Sequence, residues 1–153
     1  MARKIEEQEI PATGAKVHEH PRVLVIDDDP AIQTFLVSRL SKFGIDTLYA
    51  SDAGHGYRMA CKERPSVIVT DNYMPNGDAQ YLLHRLRSTE ATAHIPVFVI
   101  SGKKLDAVTE QTLRRNICGR PGATQVLMKS FDTGELFDAL KKFCAFATRL
   151  APD

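Results

Sequence analysis

VLVIDDDP, residues 23–30, decides how the chain is read. Val23 to Ile26 form an unbroken apolar run, which suits a strand buried on both faces. Three aspartates follow it, and Asp29-Pro30 has the form of a helix start, with a capping oxygen and then proline at the first helical position. Ala31, Ile32, Phe35, Leu36, Leu40 and Phe43 then recur at helical spacing until Gly44 supplies the stop. The stretch is therefore a buried strand, an acidic turn and an amphipathic helix.

Downstream the unit repeats. IDTLYA (45–50) reads as a second strand, and 53–64 as a helix closed by Pro65. VIVT (67–70) is a third, fully apolar strand, followed by a helix over 78–88 carrying Tyr81, Leu82, Leu83 and Leu86. PVFVI (96–100) is a fourth strand, and 104–117 a helix with Leu105, Val108, Leu113 and Ile117. TQVLM (124–128) is a fifth, weaker strand. Asp132 with Glu135 has the spacing of a capping box, opening a last helix striped with Leu136, Leu140, Phe143, Cys144 and Ala147. Five strands alternating with five helices imply an α/β fold, a doubly wound parallel sheet covered on both faces.

Outside this core, residues 1–21 are polar and aperiodic and read as a tail or linker, with 22–149 as the folded domain and 150–153 as a C-terminal tail. At 153 residues and 43% hydrophobic content the chain fits one well-filled core. A formal charge of +1 gives no electrostatic case for nucleic acid or membrane as the main partner. Apolar runs are too short for a membrane span and the N-terminus lacks a signal-peptide core, so a cytoplasmic location is expected. Cys61, Cys118 and Cys144 are scattered, as expected of reduced, buried thiols rather than of a disulfide or zinc framework. No further domain fits after residue 149, so the expected output is protein contact, from a stand-alone regulator or from one part of a longer protein.

In sheets of this kind, ligands bind beyond the carboxyl ends of the strands. Those ends carry Asp27, Asp28 and Asp29, then Asp71, Ser101 and Lys129. Each has an ordinary reading alone: helix caps for the aspartates and Ser101, a solvated charge for Lys129. Together they converge on one cleft. Two like charges about 4 Å apart repel by about 4 kcal/mol at an effective dielectric near 20, so Asp27, Asp28 and Asp71 need a cation or a proton. Lys129 offsets part of this. A hard divalent ion with oxygen ligands, Mg²⁺ above all, is the natural complement, and no His or Cys at the strand ends suggests zinc. An acyl phosphate on a carboxylate is then sensible chemistry.

These motifs resemble the response-regulator receiver family of two-component signalling. VLVIDDDP is similar to its first-strand signature, VIVTDNYMP to its third, PVFVISG to its fourth and VLMKSF to its fifth. The match covers about Arg22 to Thr148. The resemblance implies a flavodoxin-like fold with strand order 2-1-3-4-5, and Asp71 as the phosphoacceptor. It also implies Mg²⁺ held by Asp27, Asp28, Asp71 and the backbone carbonyl of Tyr73, with Ser101 and Lys129 contacting the phosphoryl group. It implies a sensor histidine kinase or histidine phosphotransfer protein as donor. The downstream target would dock on the face built by the fourth helix, fifth strand and fifth helix, and self-association is compatible with it. On this reading the domain is no enzyme beyond its own phosphorylation and dephosphorylation.

The sequence also departs from the family. Ser130 replaces the usual proline after the lysine, and Val126 replaces the aromatic that accompanies switching. The stretch from Ser101 to Lys129 is several residues longer than usual, and NGDA follows Pro75. Two other readings stay open. One is a receiver-like binding module whose phosphorylation is vestigial. The other is a haloacid-dehalogenase-type phosphatase using Asp27 in a D-x-D motif, against which stand Ala31, no late acidic pair and no cap domain.

Overall fold

The structure is a computed structural model that describes residues 21–74, 76–129 and 134–149. Ten elements alternate: β1 (Arg22–Ile26), α1 (Pro30–Ser41), β2 (Asp46–Ala50), α2 (Ala53–Glu63), β3 (Val67–Asp71), α3 (Ala79–Arg87), β4 (Val97–Ser101), α4 (Ala107–Arg114), β5 (Gln125–Met128) and α5 (Glu135–Arg149). All pairings between these five strands are parallel and the order is β2-β1-β3-β4-β5. The doubly wound, flavodoxin-like arrangement expected from the sequence is the one observed.

Strand alternation explains why the apolar runs are continuous. Successive side chains point to opposite faces, so a central strand must be apolar at every position. Leu24, Ile26, Ile68, Val97 and Val99 pack on one face with Ala53 and Ala60 of α2, Leu82, Leu83 and Leu86 of α3 and Leu113 of α4. Val23, Val25, Val67, Val69, Phe98 and Ile100 pack on the other with Ile32, Leu36 and Leu40 of α1 and Phe137, Leu140 and Cys144 of α5. The α2 contact is close: a Cβ at Gly56 would lie 2.4 Å from Ile26 Cδ1.

Aspartate caps set where four helices begin. Asp29, Asp52, Asp78 and Asp106 each accept from a backbone N–H in the first turn: Ala31, His55, Tyr81 and Thr109 respectively. The last of these corrects the expected helix over 104–117. Capping by Asp106 delays its start to Ala107. After Arg114 the chain turns, because Cys118 and Gly119 adopt φ 54° and 78° and Ile117 pairs with Arg120. The expected capping role of Asp132 and the tail 1–20 lie outside the described residues.

The cysteine expectation is also corrected. Cys144 is buried, but Cys61 is only partly so and Cys118 is exposed, because it occupies the tip of that turn. Among the described residues no helix is long and apolar enough to cross a membrane.

Candidate functional site

Strand order brings the chemistry together. Ile26 lies beside Thr70 and Asp71 beside Ile100, so Asp27, just after β1, and Asp71, the last residue of β3, stand next to each other, about one strand spacing (about 4.8 Å) apart. Carboxylate oxygens of Asp27, Asp28 and Asp71 all lie within 4.8 Å of one another. The three differ sharply in exposure. Asp27 is fully buried and Asp71 nearly so, whereas Asp28 faces solvent.

Asp27 is held from several sides. Its N–H donates to Ala50 O at 3.0 Å, its Oδ1 accepts from Asp29 N at 2.9 Å, and its carbonyl accepts from Gln33 Nε2 at 3.1 Å. Sequence reasoning missed Gln33, a buried polar residue within an otherwise ordinary helix stripe. Asp71 is fixed through its neighbours: Asn72 N–H donates to Ile100 O at 2.9 Å, and Thr70 Oγ1 to Asp71 O at 3.0 Å.

Lys129 lies one residue beyond β5, beside the end of β4, with its N–H donating to Ser101 O at 2.7 Å. Only a long side chain reaches from there past β4 to the acidic pair. Lys129 Nζ does so, at 2.9 Å from Asp27 Oδ2 and 3.3 Å from Asp71 Oδ2. Burial acts to lower the Lys129 ammonium, but the two carboxylates outweigh it and leave its pKa raised. The Asp71 carboxyl is also raised, first by burial and then by the Asp27 charge, against the opposing pull of Lys129 and the Tyr73 N–H.

Charge balance shows what the cleft would accept. Three carboxylates face one ammonium. Asp27 Oδ2 is buried and has no hydrogen-bond partner among the described residues. Its one close partner among them is the Lys129 ammonium at 2.9 Å, a single cation that it shares with Asp71. A buried, under-satisfied carboxylate oxygen among all-oxygen donors fits a hard divalent cation.

At the mouth, Ser101 is buried, its Oγ donating to Lys103 O at 2.7 Å and accepting from Lys103 N at 3.3 Å. Tyr73 is exposed, and Lys103 Nζ lies 6.0 Å from its ring centroid. Val126 is half-buried and lines, with Ser101, Leu105 and Met128, an open cleft of about 600 Å³. Asp27, Asp28, Asp71, Ser101 and Lys129 are thus gathered, Tyr73 and Val126 border them, and Ser130 lies outside the described residues.

Comparison with known proteins agrees with this geometry. A family model described as the response regulator receiver domain matches residues 23–141. The DNA-binding dual master transcriptional regulator RpaA of Synechocystis is 34% identical over 116 residues, covering 76% of this chain and 46% of that protein. Protein PilH of Pseudomonas aeruginosa is 29% identical and is covered over 98% of its length, with 81% of this chain. The chain spans less than half of RpaA and 11% of the sensor histidine kinase TmoS, which it also matches.

Among solved structures, a Francisella response regulator receiver domain superposes with a TM-score of 0.68 at 29% identity, covering 83% of this chain and 98% of that one. The receiver domain of a P. aeruginosa sensor histidine kinase, solved with magnesium in its active-site cleft, superposes at 0.68 with 22% identity, covering 82% and 98%. That second likeness bears on the fold alone. Sheet order, the clustered strand ends and a family match over most of the chain lead to one conclusion: this chain belongs to the response regulator receiver domain family of two-component signalling.

Proposed function

We propose that this domain accepts a phosphoryl group onto Asp71 from the phosphohistidine of a sensor histidine kinase or a histidine phosphotransfer protein. The observation that carries the reading is the Asp27–Asp28–Asp71 cluster with Lys129 joined to two of its members. An Asp71 carboxylate oxygen forms the new bond to phosphorus as the phosphorus–nitrogen bond of the donor imidazole breaks and its electron pair returns to the ring. Lys129 balances the charge that arrives on the phosphoryl oxygens. Ser101 donates its hydroxyl to one of them once released from Lys103 O.

Mg²⁺ held by Asp27, Asp28, Asp71 and the Tyr73 carbonyl would neutralise the remaining charge there. The all-oxygen donor set of the Asp27–Asp28–Asp71 cluster supports that choice of ion. Support for a phosphorelay setting comes from similarity to sporulation initiation phosphotransferase F of Bacillus subtilis, 26% identical over 122 residues. The receiver unit is read as residues 22–149, acting in the cytoplasm, with downstream protein targets meeting the α4–β5–α5 face. Val126 and Ser130 modify how occupancy reaches that face.

Incubation with Mg²⁺ and a small acyl phosphate is the test. A mass gain of one phosphoryl group is expected, lost without Mg²⁺ and lost in Asp71→Asn. A gain that survives Asp71→Asn and disappears in Asp27→Asn would refute the assignment in favour of phosphatase-like chemistry.

A further inference from the structure

From Gln111 to Phe131 the chain carries Arg114, Arg115, Arg120 and Lys129 and not one carboxylate. Most of it falls within the span from Ser101 to Lys129, which is several residues longer than the family resemblance implies. Residues 115–124 join α4 to β5, where a short turn of about 2–6 residues would do.

The added length is built, not loose. Ile117 and Arg120 exchange backbone hydrogen bonds at 2.7 and 3.0 Å around Cys118-Gly119, a two-residue turn with both φ angles positive. At its base, Ala123 N–H donates to Leu113 O at 2.7 Å. Gly122 sits so close that a Cβ would come within 2.4 Å of Leu113 O and 2.7 Å of Arg115 O.

A buried cation locks this base to α3. Arg87, 5% exposed, donates from Nε to Pro121 O at 2.8 Å, from Nη2 to Gly122 O at 3.0 Å and from Nη1 to Thr92 O at 3.4 Å. Holding a guanidinium in the interior on carbonyl dipoles costs several kcal/mol of desolvation. A connection that only had to reach β5 would not require it.

The locked base presents a cationic tip. Arg115, Asn116, Cys118, Gly119, Arg120 and Pro121 are exposed. Arg114 pairs with Glu110 at 3.1 Å, whereas Arg115 and Arg120 have no ion-pair partner among the described residues. The hairpin precedes β5, and Thr124 N–H donates to Val97 O at the start of β4. It therefore stands at the N-terminal ends of the strands, opposite the end that carries Asp71.

We infer that the Arg115–Pro121 hairpin is a docking element for an acidic segment of a protein partner, engaged from the end of the domain remote from the phosphoryl site. Arginine forks match carboxylate pairs in bidentate geometry, and a pre-ordered turn loses little entropy on binding. Duplex nucleic acid fits less well. It offers a charge about every 1.7 Å and wants an extended basic surface, which a chain of formal charge +1 does not supply. The inference stands apart from the proposed function, because docking here requires no phosphoryl group.

The test is amide-resolved NMR of the whole chain titrated with a short peptide of alternating glutamate and glycine. Expected are salt-sensitive shifts concentrated at residues 115–122, abolished in the charge-reversal pair R115E/R120E. A lysine–glycine peptide should then shift those same amides in the variant. Arg87→Met, which frees the base but keeps both tip arginines, should weaken binding several-fold. If that variant fails to fold, the charge reversal still decides. Phosphorylation by the small acyl phosphate should be the same in R115E/R120E as in the parent, so failure of this proposal and failure of the Asp71 assignment are separable. Shifts centred on Lys103 and Lys104, shifts retained in R115E/R120E, or stronger perturbation of these amides by duplex DNA or anionic vesicles at equal charge would overturn the inference.

Discussion

Lys129→Met tests the electrostatics of the cleft most directly. The methionine keeps an apolar stem beside Ile32, Ile100 and Phe137, which share a small cavity with Lys129, and removes only the ammonium. At 2.9 and 3.3 Å, each carboxylate attracts that ammonium by roughly 5–6 kcal/mol at an effective dielectric near 20. Desolvation of Lys129 cancels much of this gross figure. Removing one member of a buried ion pair typically costs about 3–5 kcal/mol, and with the Lys129 side chain 17% exposed we expect the lower end, about 3 kcal/mol. For a chain of this size that is a fall in Tm of about 6–12 °C, read by thermal unfolding without divalent ions.

The pH dependence of that loss has a definite sign. The folded-state pKa of Lys129 is raised, so its contribution is complete below the unfolded value and is lost only as pH rises through the folded one; neutral buffer sits on the plateau. On the acid side the raised Asp71 carboxyl is protonated early, so the gap between variant and parent should narrow as pH falls. Mg²⁺ should stabilise the variant more than the parent, since it meets three carboxylates with no competing ammonium. Equal stability at neutrality without metal, or a gap that widens in acid, would refute this account of the cleft.

Asp71→Asn should make the metal-free protein more stable at neutral pH. A carboxyl raised by burial and by Asp27 stabilises the fold only as it takes up a proton, so the advantage should vanish as pH falls below the ordinary carboxylate range; urea unfolding across pH reads this out. Gly56→Ala drives a methyl to within 2.4 Å of Ile26 Cδ1 and should cost about 1–3 kcal/mol, part of it recovered in an Ile26→Val background that removes the offending carbon. Burial pushes the Cys144 thiol up to about 11, so brief alkylation of the folded protein should label Cys118 and spare Cys144 until unfolding, as peptide mass mapping would show. Labelling of Cys144 in the folded state would contradict its burial between α5 and the sheet.

Much of this protein is legible before any coordinates. Continuous apolar runs, helical periodicity and aspartates poised to cap are local signals, repeating within a few residues, so they identified the strands, most helices and the strand ends where Asp27, Asp71, Ser101 and Lys129 stand. Tertiary structure alone decided what those side chains meet. Asp27 and Asp28 are sequence neighbours, yet one is fully buried against Lys129 and the other exposed, because successive residues leaving a strand face opposite ways.

Asp106 capped a shorter α4 than its apolar spacing suggested, and Cys118 emerged on a turn tip because backbone pairing of Ile117 with Arg120 put it there. Arg87 offered no signal at all: it reads as one more charge on an amphipathic helix, and its three carbonyl partners lie as far as 35 residues away. Periodicity is written along the chain, whereas contacts between distant segments exist only once strand order has set which ends are neighbours.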